Sequence, residues 1–141
     1  MNDLQGDLWY PDLADYLAIA AELTDFDLKF LTTDWSVGLA NSALHSPSAS
    51  FAGVEFYPDF CDTASVLLVH LTNNHPLIDG NKRAAWVTLR LFLEMNNWEW
   101  TDYPSVEDAE RLVFGVAAGE VHEADVATWL RGRLAPIQIE T

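Results

Sequence analysis

His75, Asp79, Gly80, Asn81, Lys82 and Arg83 all fall in the single stretch "HPLIDGNKR". An imidazole, a carboxylate, a glycine, a carboxamide and two adjacent cations thus lie together in a chain with only seven Lys and Arg. If the chain turns through "HPLIDG" and a helix begins near Asn81, the amides of Gly80 to Arg83 become first-turn donors at a helix N-terminus. Such a terminus carries partial positive charge and binds phosphates readily. Gly80 brings no Cβ and allows close backbone approach. Lys82 and Arg83 add two full charges, and the Arg83 guanidinium can grip a phosphate through two parallel hydrogen bonds. A carboxylate at Asp79 would repel that anion unless a Mg²⁺ ion sat between them, bound in the usual way by one or two carboxylates and phosphate oxygens. His75 can take a proton from a hydroxyl near neutral pH. Base, metal carboxylate and phosphate cradle add up to transfer of part of a nucleotide to a hydroxyl.

Each residue also has a bland reading. Asp79 suits the N-cap of the following helix, Asn81 a turn, and His75 a loop imidazole bonded to a carbonyl. Lys82 and Arg83 would serve as solvated surface cations. Taken one at a time these readings suffice; taken together they require several coincidences in one short segment.

The rest of the chain sets limits on partners. Its 141 residues, half of them hydrophobic, allow one domain with a real core, taken here as residues 1–141. A net charge of -15 leaves too few cations for direct binding to nucleic acid or to an anionic membrane. The acidity suits either solubility or a surface for a basic partner. Three of the seven cations fall within nine residues from Lys82, and such local charge calls for an anion. No apolar run is long enough to span a membrane, and the acidic start "MNDLQGDLWYPDLADY" is unlike a secretory signal. Cys61 stands alone and reads as a buried structural thiol in a reducing compartment, so a cytoplasmic location is expected.

The elements that must position the cluster are helical. Leu13, Tyr16, Leu17, Ala20 and Leu23 recur at three- and four-residue intervals behind Asp12, a plausible N-cap. "DWSVGLANSALH" reads as a second helix, ended by a loop at "SPSAS". Aromatic and β-branched residues around Gly53 suggest a short extended segment or hairpin. A largely buried helix is expected over about residues 59 to 73. After the break, "NKRAAWVTLRLFLEMNNW" places Trp86, Leu89, Phe92 and Leu93 on one side and reads as a central helix. "WEWTDYPS" is a short extended connector. Ser105 and Asp108 stand at capping-box spacing for the next helix, and "HEADVATWLRGRL" ends the chain's helices with cations in its last turn. The fold class is mainly α, about six helices with one small β-hairpin.

"HPLIDGNKR" resembles the signature of the Fic/Doc superfamily, and "LAIAAELTDF", "VGLANSALHSP", "FYPDFCDTASVLLVHLTNNHP" and "VAAGEVHEADVATWLR" extend the likeness over most of residues 12 to 131. The resemblance is to the Doc (death-on-curing) branch. It implies the compact Fido bundle, with a β-hairpin flap before the central helices. By that likeness His75 activates the target hydroxyl, Asp79 coordinates Mg²⁺, and Gly80, Asn81, Lys82 and Arg83 hold ATP phosphates. Lys82 stands where Fic-type AMP transferases usually carry glycine, which implies transfer of the γ-phosphoryl group instead. AMP transfer and a non-catalytic binding module remain the alternatives. Gly53, Val54, Glu55 and Phe56 fall at the flap, which aligns a target peptide by strand addition; the aromatics there suit a lid over the core equally well. Leu77 and Ala84 depart from the family's phenylalanine and threonine. The self-inhibitory Ser/Thr–Glu–Gly/Asn pattern of many Fic proteins is missing. The branch implies a Phd-like antitoxin as partner and a protein substrate, elongation factor Tu, with arrest of translation.

Overall fold

The computed structural model describes residues 8–23, 34–48, 50–51, 54–55, 59–74 and 80–137. Six α-helices lie among them: α1 (Leu13–Leu23), α2 (Asp34–His45), α3 (Phe60–Asn73), α4 (Asn81–Met95), α5 (Val106–Ala117) and α6 (Glu123–Arg131). Strands β1 (Ser50–Phe51) and β2 (Val54–Glu55) pair antiparallel, with Ser50 opposite Glu55 and Phe51 opposite Val54. The expected hairpin is therefore present.

Helix α3 is the hub. Its residues from Phe60 to Thr72 are buried almost without interruption, and α2, α4, α5 and α6 pack around it. The sequence pattern gives α4 the central place. In the fold α4 buries one face only, through Ala84, Ala85, Thr88, Leu89, Phe92 and Leu93, while Lys82, Arg83, Arg90 and Glu94 face water. The reason is that a mixed apolar helix can lie against a sheet and a neighbour on its flanks without being encircled. Polar residues on the hub survive burial because each is bonded. Thr72 Oγ1 donates to the Leu68 carbonyl at 2.8 Å, and Ser65 Oγ to the Glu123 carbonyl at 2.9 Å. Cys61 is buried as expected, and burial together with Asp59 pushes its thiol up to about 11. It is inert at neutral pH.

Local chemistry sets most helix starts. Asp12 and Asp15 exchange side-chain-to-amide bonds, both 2.9 Å, which begins α1. Asp59 Oδ1 accepts from the amides of Cys61 and Asp62 at the head of α3. Ser105 Oγ accepts from the Asp108 amide at 3.0 Å and starts α5. The Asp108 carboxylate turns instead to Arg111 and Arg133. At "SPSAS" the chain forms a 3-10 turn over Ser46–Ser48, stapled by Ser46 Oγ donating to Ser42 O.

One sheet has no counterpart in the sequence reading. β3 (Trp98–Trp100), extended as expected of that connector, pairs antiparallel with β4 (Leu134–Pro136) near the end of the described chain. Asn97, at φ 61°, turns the chain out of α4 into β3. Asn96 ties this corner to the N-terminal segment: its carboxamide accepts from Trp9 N at 2.7 Å and donates to Trp9 O at 2.9 Å. Trp86, Trp100 and Trp129 meet beside the sheet, with Arg133 lying over the Trp129 ring.

Candidate active site

Helix α4 starts at an N-cap glycine, Gly80, whose backbone is left-handed at φ 85° and ψ 10°. That conformation costs an L-residue with a Cβ roughly 1–2 kcal/mol, so glycine belongs here for its backbone as well as for close approach. The cap position is thus Gly80 itself. The helix then propagates normally, with the Ala84 amide donating to the Gly80 carbonyl at 2.9 Å. Its first turn holds no acidic residue and carries Lys82 and Arg83, both exposed. Cations there oppose the helix dipole by about 0.3–1 kcal/mol each, which an anion at the terminus would reverse.

This terminus opens into a cleft of about 730 Å³. Gly80, Asn81, Lys82 and Arg83 form one side. Val106, Ala109, Val113, Phe114 and Ala117 of α5 form the other, joined by Glu110, with Thr72 and Trp86 completing the lining. The cleft is thus amphipathic, cationic along one helix end and mostly apolar along the facing helix. The Lys82 Nζ stands 5.6 Å from the centroid of the Phe114 ring. Its size and polarity suit an anion with an apolar portion.

The structure brings Gly80, Asn81, Lys82 and Arg83 together as the sequence spacing requires. His75 and Asp79 lie outside the described residues, as do Gly53 and Phe56 of the flap; Val54 and Glu55 form β2. The last described residue before His75 is anchored. Asn74 caps α3 through its amide to His70 O at 2.9 Å, and its carboxamide donates to Leu39 O of α2 at 3.1 Å. Among the described residues no group of three His, Cys, Asp or Glu side chains could hold a metal.

Sequence reasoning missed the α5 wall. One signal was available: Phe114 falls off the buried stripe of Leu112, Val113 and Val116, and it is 53 % exposed. A second titratable cluster lies elsewhere. His70 bridges Ser46 Oγ at 3.0 Å and Glu123 Oε1 at 2.9 Å, tying the 3-10 turn to α3 and α6. The Ser46 hydroxyl is already spent on Ser42 O, so the trio is a structural tie and no nucleophile. No described helix is long and apolar enough to cross a membrane.

Residues 10–93 match the model of the Fic/DOC family, more than half of the chain. A protein named Toxin Doc from Mycolicibacterium smegmatis is 38% identical over 101 residues, covering 72% of this chain and 78% of that protein. No solved structure gives a match.

Proposed function

The chain belongs to the Fic/DOC family, whose members transfer nucleotide-derived groups onto proteins, and on that premise we propose that it is the toxin of a toxin–antitoxin pair, moving the γ-phosphoryl group of ATP to a protein serine or threonine. The observation that carries this reading is the first turn of α4. It reverses the usual charge of a helix start and faces a cleft of nucleotide size.

In this reading His75 accepts the proton of the target hydroxyl as its oxygen attacks the γ-phosphorus. The bond from that phosphorus to the bridging oxygen breaks and ADP leaves. Arg83, Lys82 and the backbone amides of the α4 start hold the non-bridging oxygens and offset their charge during transfer. Lys82 adds bulk and charge where glycine would leave room, so the triphosphate lies with its terminal phosphate toward the hydroxyl. Asp79 is the carboxylate that would hold Mg²⁺. A single carboxylate suits that ion, which takes most of its ligands from phosphates and water. When bound, the metal supplies further neutralisation of phosphate charge.

The flap assigned to Gly53, Val54, Glu55 and Phe56, of which Val54 and Glu55 form β2, aligns the target segment by main-chain pairing. We assign elongation factor Tu as the substrate, a Phd-like antitoxin as the partner that restrains the enzyme, and the cytoplasm as the location, with residues 1–141 acting as one domain.

The test is to incubate the purified chain with ATP, Mg²⁺ and elongation factor Tu and to weigh the product. A gain equal to one phosphoryl group is expected, lowered about 10²–10⁴-fold by His75→Ala. A gain equal to AMP would overturn phosphoryl transfer in favour of nucleotidyl transfer. Growth arrest that persists undiminished with His75→Ala would show a binding module instead.

A further inference from the structure

Phe114 lies off the buried stripe of α5, half in water, and its ring meets the Lys82 ammonium across the cleft. Lys82 for its part is exposed, on a flexible stem that loses rotamer freedom when fixed. No ion pair of 4.0 Å or less to Lys82 occurs among the described residues. A cation over an exposed ring is favoured by about 0.5–1 kcal/mol. That is enough to bias the lysine and too little to sequester it. The contact also leaves the ammonium's donors available, because the ring face accepts charge without consuming a lone-pair geometry.

We propose that Phe114 is a positioning residue for Lys82: the ring holds the ammonium on the α5 side of the cleft and thereby sets where a terminal phosphate is gripped. This rests on the reading of the α4 start as a phosphate site. Phe114 does its work before the ligand arrives, by narrowing the positions the lysine must give up on binding. An aromatic at 114 and a lysine at 82 therefore act as one unit.

The experiment is a double-mutant cycle read by calorimetry with two probes, ATP and inorganic tripolyphosphate, on wild type, Phe114→Leu, Lys82→Met and the double variant. Tripolyphosphate has no base, so any influence of Phe114 on it passes through Lys82. Phe114→Leu is expected to weaken both probes about 2–5-fold, the fold-change equivalent of the ring contact. Phe114→Tyr restores the affinity, and Phe114→Leu has no effect once Lys82 is methionine. Equal losses in the Lys82→Met background, or a loss with ATP alone, overturn the inference. In the free protein, the Lys82 ε-methylene protons carry an upfield ring-current shift that Phe114→Leu abolishes. Absence of that shift in wild type also overturns it. If wild type binds neither probe, the phosphate-site reading falls, and the ring-current shift alone decides the Phe114–Lys82 contact.

Discussion

The start of α4 differs from the starts of α1, α3 and α5 in the same molecule. Those three are closed by their own side chains: Asp12 with Asp15, Asp59, and Ser105. Each also has acid in its first turn, Asp15, Asp62, and Glu107 with Asp108, which complements the helix dipole. At α4 the cap residue is a glycine with no side chain to offer, and the charge that follows is reversed by Lys82 and Arg83. Those three starts carry acid behind a side-chain cap, and the start of α4 carries cations behind a glycine. In a chain of net charge -15, acid was available for that turn. The contrast is what supports the proposed phosphate site: the first turn of α4 carries cations where the other three carry acid.

The comparison can be broken most sharply at Arg83. Arg83→Ala should lower group transfer by about 10²-fold, comparable to losing one oxyanion donor. Stability should be unchanged or raised by up to about 1 kcal/mol, since a cation leaves a helix N-terminus. Transfer assays beside urea titrations check both; a clear loss of stability would show Arg83 to be structural.

A capped start should respond in the opposite way. Asp59→Ala removes the acceptor for two α3 amides and one of the carboxylates that hold Arg131 of α6. A destabilisation of about 0.5–2 kcal/mol is expected from the cap, with transfer per folded molecule preserved. The Arg131 contact is half-exposed and adds little to that.

The smallest effect concerns acid. The Asp15 amide and the Asp15 side chain hold the Asp12 carboxyl below its ordinary 3.8. A depressed carboxyl contributes stability above its unfolded value and loses it as pH falls through the folded one. The start of α1 should therefore stay capped down to pH 3.8 and fray below it, which amide exchange at Asp15 and Tyr16 would follow.

Much of the fold is legible locally because helix signals are local. Apolar spacing in α1, the apolar run of α3, and caps at Asp12 and Ser105 act over a few residues and survive into the structure. The motif at 75–83 announces its chemistry in the same way, by putting charge, glycine and imidazole side by side. Two local readings stopped short for a shared reason. Trp98–Trp100 reads as extended but unpaired because its partner, Leu134–Pro136, lies more than thirty residues later. Helix α4 looks central because its pattern cannot reveal that α3 takes that place.

The amino-acid sequence by itself determined the helices, most of their caps and the residue types at the candidate site. Only the tertiary structure decided what those residues face. It set α5 across from Gly80–Arg83, put Phe114 beside Lys82 and joined the tryptophans of α4, β3 and α6. The physical reason is range. Capping and periodicity are settled within a turn of helix, whereas a cleft exists only when packing on the shared hub α3 brings distant surfaces within contact of one another.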